Sequence, residues 1–359
     1  MTNAPTSPPG AGPLLYDLRV TDREPGELAD VARWADEHGV ATVWAPEATH
    51  DPFVQLALIG AGSSRCHIGT GIAVAFGRSP FSMAHVSWDL QQLSNGRFEL
   101  GLGTQIRAHV ERRYSQPWYG AASALRDYVA CCRHIWRCWQ TGVHEPYEGR
   151  FFQFTLSNPE FEPEPLPADQ ATIPVWFGAV GPKMAQLAGE AADGVHVHAF
   201  HSEQYLRQQF WPIVTEAALS AGRDPASLRA SCPVMAGVAH DDAERAELMS
   251  HFRRHLAFYG STPAYLPVLE SVDAGDLHAK LHAMSREKRW RDMEALISDE
   301  TVEQFALIDE PLPLAQKLRR RYSGVLTNLS LYRGADRFMR DDEWAPFIAA
   351  LAAPEPARA

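Results

Sequence analysis

The chain of 359 residues predicts an α/β fold, a (β/α)8 TIM barrel with a mostly helical insertion between its seventh and eighth strands. Three observations carry this. Short apolar runs rich in valine, isoleucine and aromatic residues alternate with helix-period segments along most of the chain. Eight strand–helix units can be counted, the order that a parallel sheet requires. The composition, 45% hydrophobic and 21% charged, is that of a globular protein able to bury those strands. A doubly wound open sheet is the other topology the alternation allows. No hydrophilic linker divides the chain, so residues 14–351 are expected as a single domain. The Pro/Gly/Ser/Ala-rich stretch 1–13 is expected as a disordered tail, and 352–359 as a C-terminal tail.

Each element has its own signal. Leu14 to Val20 is the first strand; Glu27 to His38 follows as a helix, with Leu28, Val31, Ala32 and Ala35 on one face and Gly39 as C-cap. Ala41 to Ala45 is the second strand, opening into a polar loop from Pro46 to Pro52, and Phe53 to Ser63 is a short helix. The third strand, Gly69 to Phe76, holds two glycines, which mark a bulge or a close approach by a ligand or another backbone. One wall of a flat-cofactor pocket and a bulge that only bends a strand both fit it. Met83 to Leu93 is helical and Arg97 to Thr104 is the fourth strand. The helix from Ala124 to Gln140 carries the apolar stripe Leu125, Tyr128, Val129, Cys132, Ile135, Trp136 and Trp139. Tyr147 to Thr155 reads as a small hairpin outside the pattern, and a proline-rich connector leads to the fifth strand, Pro174 to Ala179. Gly194 to Phe200 and Cys232 to Ala239 are the sixth and seventh strands, separated by a helix from Glu203 to Gly222. Residues 241–310 break the rhythm as a helical insertion, expected to form a lid. Leu314 to Tyr322, Leu326 to Tyr332 and Glu343 to Leu351 close the chain as helix, strand and helix.

Bulk charge limits the partners. With 33 basic and 44 acidic residues the formal charge is −11, which argues against broad attraction to nucleic acid or an anionic membrane. No apolar run reaches the roughly 20 residues of a membrane span. Five cysteines, Cys66, Cys131, Cys132, Cys138 and Cys232, form no C-x-x-C pair and read as buried thiols, consistent with a reducing cytoplasm. Residues 1–13 lack the pattern of a signal peptide. A cytoplasmic protein acting on a small molecule is the expectation.

A barrel places its site at the C-terminal ends of its strands. Four such ends stand out: Glu47 to Asp51, Gly71 to Arg78, Thr104 to His109, and Gly178 to Lys183. The last is a strand, a glycine turn and a helix start, which offers backbone N–H groups to an anion; Arg107, His109 and Lys183 could add charge. Glycines that only cap short βα turns would look the same. Glu47 and His50 could form a proton-handling pair, because histidine titrates near neutral pH and a carboxylate can orient it. A solvated loop ahead of a helix is the plainer reading of the same residues. Alternation puts His196 and His198 on one strand face, with His201 nearby, but no further ligand set matches a metal hydrolase, so pocket lining or packing is expected and no metal. There is no G-x-S-x-G, G-x-G-x-x-G or P-loop signature.

Leu93-Ser94-Asn95-Gly96-Arg97-Phe98-Glu99-Leu100-Gly101-Leu102-Gly103-Thr104 resembles the "LS-x-GRF-x-LG-x-G" run of the bacterial luciferase-like monooxygenase superfamily. Further stretches resemble an actinobacterial branch assigned to the deazaflavin coenzyme F420. They are Glu47 to Phe53, Gly69 to Phe76 with Arg78-Ser79-Pro80, Gln105 to Arg113, Val180-Gly181-Pro182 with Met184, Ala192-Asp193-Gly194, and Phe258 to Tyr265. The resemblance covers roughly residues 14–350. It implies a luciferase-like TIM barrel, a homodimer, and coenzyme F420, with FMN as the alternative. It implies a non-prolyl cis peptide at Gly71-Ile72 behind the ring, and cofactor contacts from Thr70, Gly71, Ile72, Arg78, Thr104, Gln105, Arg107, His109, Gly178, Ala179, Val180, Gly181 and Lys183. Glu47 and His50 become the catalytic proton-transfer candidates, and Trp44, His198 and Tyr259 the substrate-pocket candidates. One departure is plain: related deazaflavin enzymes carry an acid followed at once by histidine, whereas here Ala48 follows Glu47 and His50 comes two residues on. The expected activity is hydride transfer between F420 and a small organic substrate. An FMN monooxygenase is the nearest rival, ahead of a metal-dependent hydrolase barrel or a non-catalytic flavin-binding protein.

Overall fold

The structure, a computed structural model, describes residues 12–21 and 23–353. The expected tails at 1–13 and 352–359 lie outside the described residues except for their two innermost positions.

The strands follow in chain order as β1 (Leu15–Tyr16), β2 (Leu18–Arg19), β3 (Thr42–Ala45), β4 (His67–Thr70), β5 (Ala73–Val74), β6 (Phe98–Gly103), β7 (Tyr147–Glu148), β8 (Gln153–Phe154), β9 (Val175–Ala179), β10 (Gly194–Val197), β11 (Arg229–Val234), β12 (Ala236–Val238), β13 (Leu307–Asp309) and β14 (Asn328–Leu331). The α-helices are α1 (Leu28–His38), α2 (Pro52–Gly62), α3 (Pro80–Leu93), α4 (Arg107–Arg112), α5 (Ala122–Thr141), α6 (Pro182–Ala191), α7 (Glu203–Tyr205), α8 (Trp211–Ser220), α9 (Asp242–Gly260), α10 (Leu266–Glu270), α11 (Gly275–Arg286), α12 (Trp290–Met293), α13 (Asp299–Phe305), α14 (Pro311–Tyr322) and α15 (Trp344–Ala352). All eight expected strands are there, three of them interrupted: at Asp17, at Gly71-Ile72 and at Met235. The described residues fall into two compact units, one of 18–178 with 191–196, the other of 12–17, 179–190 and 197–353.

In the first unit a parallel sheet runs β2-β3-β4-β6-β9, with β5 also paired to β6. Its register sets Leu18 beside Val43, Val43 beside Ile68, and Ile68 beside Phe98. The helices start where the sequence supplies caps. Asp51 accepts from the N–H groups of Phe53 and Val54, and Ser79 from that of Ser82, each followed by proline at the first helical position. Asp36, near the end of α1, accepts from the backbone N–H groups of Ser64, Arg65 and Cys66 and from the Ser64 hydroxyl. Partial burial opposes ionisation there, but those donors win and hold its pKa at about 2. The antiparallel pair β7–β8 is the expected hairpin.

Three rings fill the interior of this unit. Trp44 meets Trp176 with centroids 5.1 Å apart and His196 at 4.4 Å, and Trp176 lies 5.2 Å from His196. Both indoles are fully buried. A ring of this size buries about 200 Å², worth about 5 kcal/mol at 25 cal/mol/Å². The strand glycines make room for them: a Cβ on Gly69 would lie 2.3 Å from the Trp44 ring, one on Gly194 2.2 Å from Trp176, and one on Gly101 2.7 Å from His196.

The second unit holds the parallel strands β1-β14-β11 and a separate parallel pair, β12–β13. Asp17, fully buried between β1 and β2, accepts from the Ser231 hydroxyl at 2.6 Å and the Asn328 amide at 2.8 Å, tying three strand segments together. The stretch 241–310 is mostly helical, as expected, and buries Leu248, Phe252, Leu256, Leu281, Val302 and Phe305 in one cluster. Its last residues form β13, which the sequence pattern did not separate from the helices. Three residues are too few to show a period of two.

Candidate active site

In the first unit the strand ends gather a network around Glu47. This residue follows β3, and its N–H donates to the Ile72 carbonyl at 3.0 Å. Its carboxylate accepts from the Val74 N–H at 2.8 Å, the Arg78 guanidinium at 2.8 Å and the Tyr114 hydroxyl at 3.1 Å. Arg78 also reaches Asp51 at 2.5 Å and lies over the Phe53 ring at 4.9 Å. Burial works against that charge, but the two carboxylates hold the Arg78 pKa above its ordinary value. Burial, then the neighbouring Glu47, raise the pKa of Tyr114. His50 stands half-buried after the same strand and makes no hydrogen bond among the described residues.

Between β4 and β5 the peptide Gly71-Ile72 is cis, at the position the resemblance implied. Arg19 donates to the Gly71 carbonyl at 3.1 Å. The Ile72 side chain lies against the neighbouring strands, where a Cβ on Gly103 would come within 2.6 Å of it and one on Gly178 within 3.4 Å. Thr70 is fully buried, and its hydroxyl exchanges hydrogen bonds with Gly101 at 2.7 and 2.8 Å.

Beyond β6 the chain turns through Thr104 and Gln105, the latter with φ +56°, into α4. Arg107 pairs with Glu111 at 2.8 Å. The Nδ1 atom of His109 is buried without a hydrogen-bond partner among the described residues. An orphaned acceptor or donor in such a place suits a bound polar group.

The second unit places another set at strand ends. His198 follows β10, and the Phe200 N–H donates to its Nδ1 at 3.1 Å. Its other nitrogen must therefore carry the proton, and it faces the Tyr265 hydroxyl at 3.1 Å. Tyr259 lies edge-on to His198 at 4.8 Å and shares a 2.9 Å hydrogen bond with Tyr332, just past β14. Burial, then the nearby His201, lower the His198 pKa to about 4, so the imidazole is neutral at neutral pH. Burial raises Tyr265 and Tyr332, which stay protonated. Val180 accepts from the Tyr205 hydroxyl at 3.3 Å, the Gly181 Cα faces open space, and Lys183 is exposed in the first turn of α6.

Two expectations need correction. Trp44 was expected to shape a substrate pocket, but it is sealed inside by Gly69, Trp176 and His196 and presents no surface. Thr70 was expected at a cofactor, but its side chain is consumed by Gly101. Sequence reading missed Tyr114 and Arg19, whose partners are remote in the chain, and Tyr332, which its place after the last strand could have flagged.

The luciferase-like monooxygenase family model matches residues 6–328. The chain belongs to that family. An uncharacterized protein of Mycobacterium tuberculosis is 42% identical to it over 313 residues, covering 86% of this chain and 91% of the relative. The F420-dependent glucose-6-phosphate dehydrogenase of Nocardia farcinica is 28% identical over 219 residues, 57% of this chain and 62% of the relative. The coenzyme F420 dependent tetrahydromethanopterin reductase of Methanopyrus kandleri superposes with a TM-score of 0.75 at 19% identity, covering 95% of this chain and 99% of that one. That likeness gives the fold, the luciferase-like (β/α)8 barrel expected from the sequence. Membership places the chain among oxidoreductases, and no helix among the described residues is long and apolar enough to cross a membrane.

Proposed function

We propose that this luciferase-like protein is a coenzyme F420-dependent oxidoreductase that transfers a hydride between the deazaflavin and a small organic substrate. The F420-dependent relative and the F420-dependent structural neighbour support the choice of cofactor. The observation within the chain that carries the reading is the orphaned Nδ1 of His109, one short turn beyond β6, where a bound polar group would satisfy it. In the first unit Gly71, Ile72, Thr104, Gln105, Arg107, His109 and Gly178 would hold the cofactor. Considered by itself, the second unit offers Ala179, Val180, Gly181 and Lys183 at the start of α6, an arrangement suited to an anionic group. Arg78 serves indirectly: pinned by Glu47 and Asp51, it holds the loop after β5 in place.

When bound, the deazaflavin would donate or accept the hydride. The chain supplies the proton handling. Glu47 is occupied by three donors and acts as a positioning residue, which leaves His50, with no hydrogen-bond partner among the described residues, as the proton-transfer group. In the second unit His198, fixed as a donor through Nε2, steadies the Tyr265 hydroxyl toward a substrate, and Tyr259 offers its ring.

Titration of the purified protein with F420 and, separately, with FMN tests this reading through absorbance and fluorescence. Micromolar F420 binding, weakened in H109A and with FMN much poorer, is the expected result. A preference for FMN would overturn the deazaflavin assignment and direct the search to oxygen-dependent chemistry.

A further inference from the structure

The helix α11 of the insertion carries His278 and His282, four residues apart, so both imidazoles stand on one face. Their rings lie 5.6 Å apart between centroids and only 22° from parallel. Each Nδ1 sits against a main-chain carbonyl at the end of α9: His278 at 2.7 Å from Gly260 and His282 at 2.9 Å from Ser261. A carbonyl oxygen only accepts, so each Nδ1 must carry the hydrogen. In the neutral imidazole the lone pair is then left on Nε2. Neither Nε2 has a hydrogen-bond partner among the described residues, neither is buried, and both side chains are only half-buried.

From this we propose that His278 and His282 form a transition-metal site, chelating an ion such as Cu²⁺ or Zn²⁺ through their two Nε2 atoms. The pairing of two histidines at i and i+4 on one helix is a recognised way to aim two imidazoles at one ion. The carbonyls of Gly260 and Ser261 do what outer partners of ligating histidines do: they fix the tautomer and orient the ring. A metal–nitrogen distance of about 2.1 Å brings the two Nε2 atoms within about 4 Å of each other. The two near-parallel rings therefore have to turn toward each other on binding. No set of three or more His, Cys, Asp or Glu ligands converges among the described residues, here or elsewhere, so the pair would bind the ion alone. With two protein ligands, the ion keeps its remaining positions for water or an external donor. Imidazole ligation favours copper over nickel and zinc in affinity. The site belongs to the insertion and is independent of the cofactor reading.

Calorimetric titration of the full chain with CuCl₂ and with ZnCl₂ at neutral pH tests it, alongside H278N, H282N and the double variant. Asparagine can still donate its amide to the same carbonyl but lacks the second nitrogen, so the end of α9 stays capped; unchanged near-ultraviolet circular dichroism checks that. One saturable equivalent is expected in the wild type, weakened about a hundredfold in each single variant, because the second ligand binds as an intramolecular partner. The saturable step disappears in the double variant. Electron paramagnetic resonance of the Cu²⁺-loaded wild type gives a readout free of any substitution, with coupling to two imidazole nitrogens expected. A wild type without a saturable step, a double variant that titrates like the wild type, or a signal from fewer than two imidazoles would overturn the proposal.

Discussion

Glu47 takes hydrogen bonds from a guanidinium, a phenol and a main-chain N–H, and a carboxylate so occupied is an acceptor with nothing to donate. Removing it strands Arg78 on Asp51 alone and leaves the Val74 N–H without its acceptor. E47A is expected to lower stability by about 2 kcal/mol, the range of a charge-assisted hydrogen bond with part-buried partners. E47Q, which keeps one acceptor oxygen, should cost less. Urea denaturation followed by circular dichroism checks this; an E47A midpoint equal to that of the wild type would show that the network is ornamental. An acid beside a histidine was visible in the sequence as chemistry. What was not visible is that Arg78 and Tyr114, 31 and 67 residues further on, arrive to claim the acid. Trp44 fails as a pocket residue for the same kind of reason: strand alternation says that a side chain points inward, but not whether the space there is open or filled.

Elements are joined by side chains the periodic pattern cannot foresee. His240, between β12 and α9, contacts Glu244 at 3.0 Å and Glu343, just ahead of α15, at 2.8 Å. The hydrogen bond to Glu343 comes first and that to Glu244 adds to it; against slight burial and the Arg340 charge they raise the His240 pKa. A pKa raised on folding gives stability that is complete below the unfolded value of about 6.5 and is lost as pH rises through the folded value. H240A should therefore destabilise more at about pH 6 than at about pH 9. Denaturant midpoints of both proteins at the two pH values check it, and an equal difference at both would refute the ionic clasp. At this scale the sequence was most legible where caps and glycines act locally: Gly39 ends α1 as expected, and Asp51-Pro52 opens a helix within one residue of the expected Phe53, whereas α3 starts at Ser79-Pro80, three residues before the expected Met83. It was least legible at β13, whose pairing with β12 spans the whole helical insertion.

For the whole molecule the buried histidines set the acid limit. Burial, and for His198 then His201, lower the pKa values of His198 and His201 to about 4. His201 is locked between the His198 carbonyl at 2.9 Å and the Tyr322 hydroxyl at 3.0 Å. Unfolded, both histidines take up a proton below about pH 6.5. Stability due to them is therefore present above that value and falls as pH drops toward 4, by up to about 1.4 kcal/mol per pH unit for each. Unfolding at about pH 5 should take up about one proton fewer in H201Q than in the wild type; equal uptake, measured by pH-stat, would show that His201 is not held neutral. The overall fold was legible because eight apolar runs and the intervening helices repeat on a scale that single contacts do not disturb. The glycines of those runs were legible only as exceptions, since the rings they accommodate come from other strands. Those rings also give the chain an optical signature. Of its ten tryptophans, Trp44, Trp88 and Trp176 are fully shut away from water, and Trp44 and Trp176 lie beside each other and beside an imidazole. Their emission belongs at the short-wavelength end of the spectrum and out of reach of a dissolved quencher, a built-in reporter that dims or reddens only when the first unit itself comes apart.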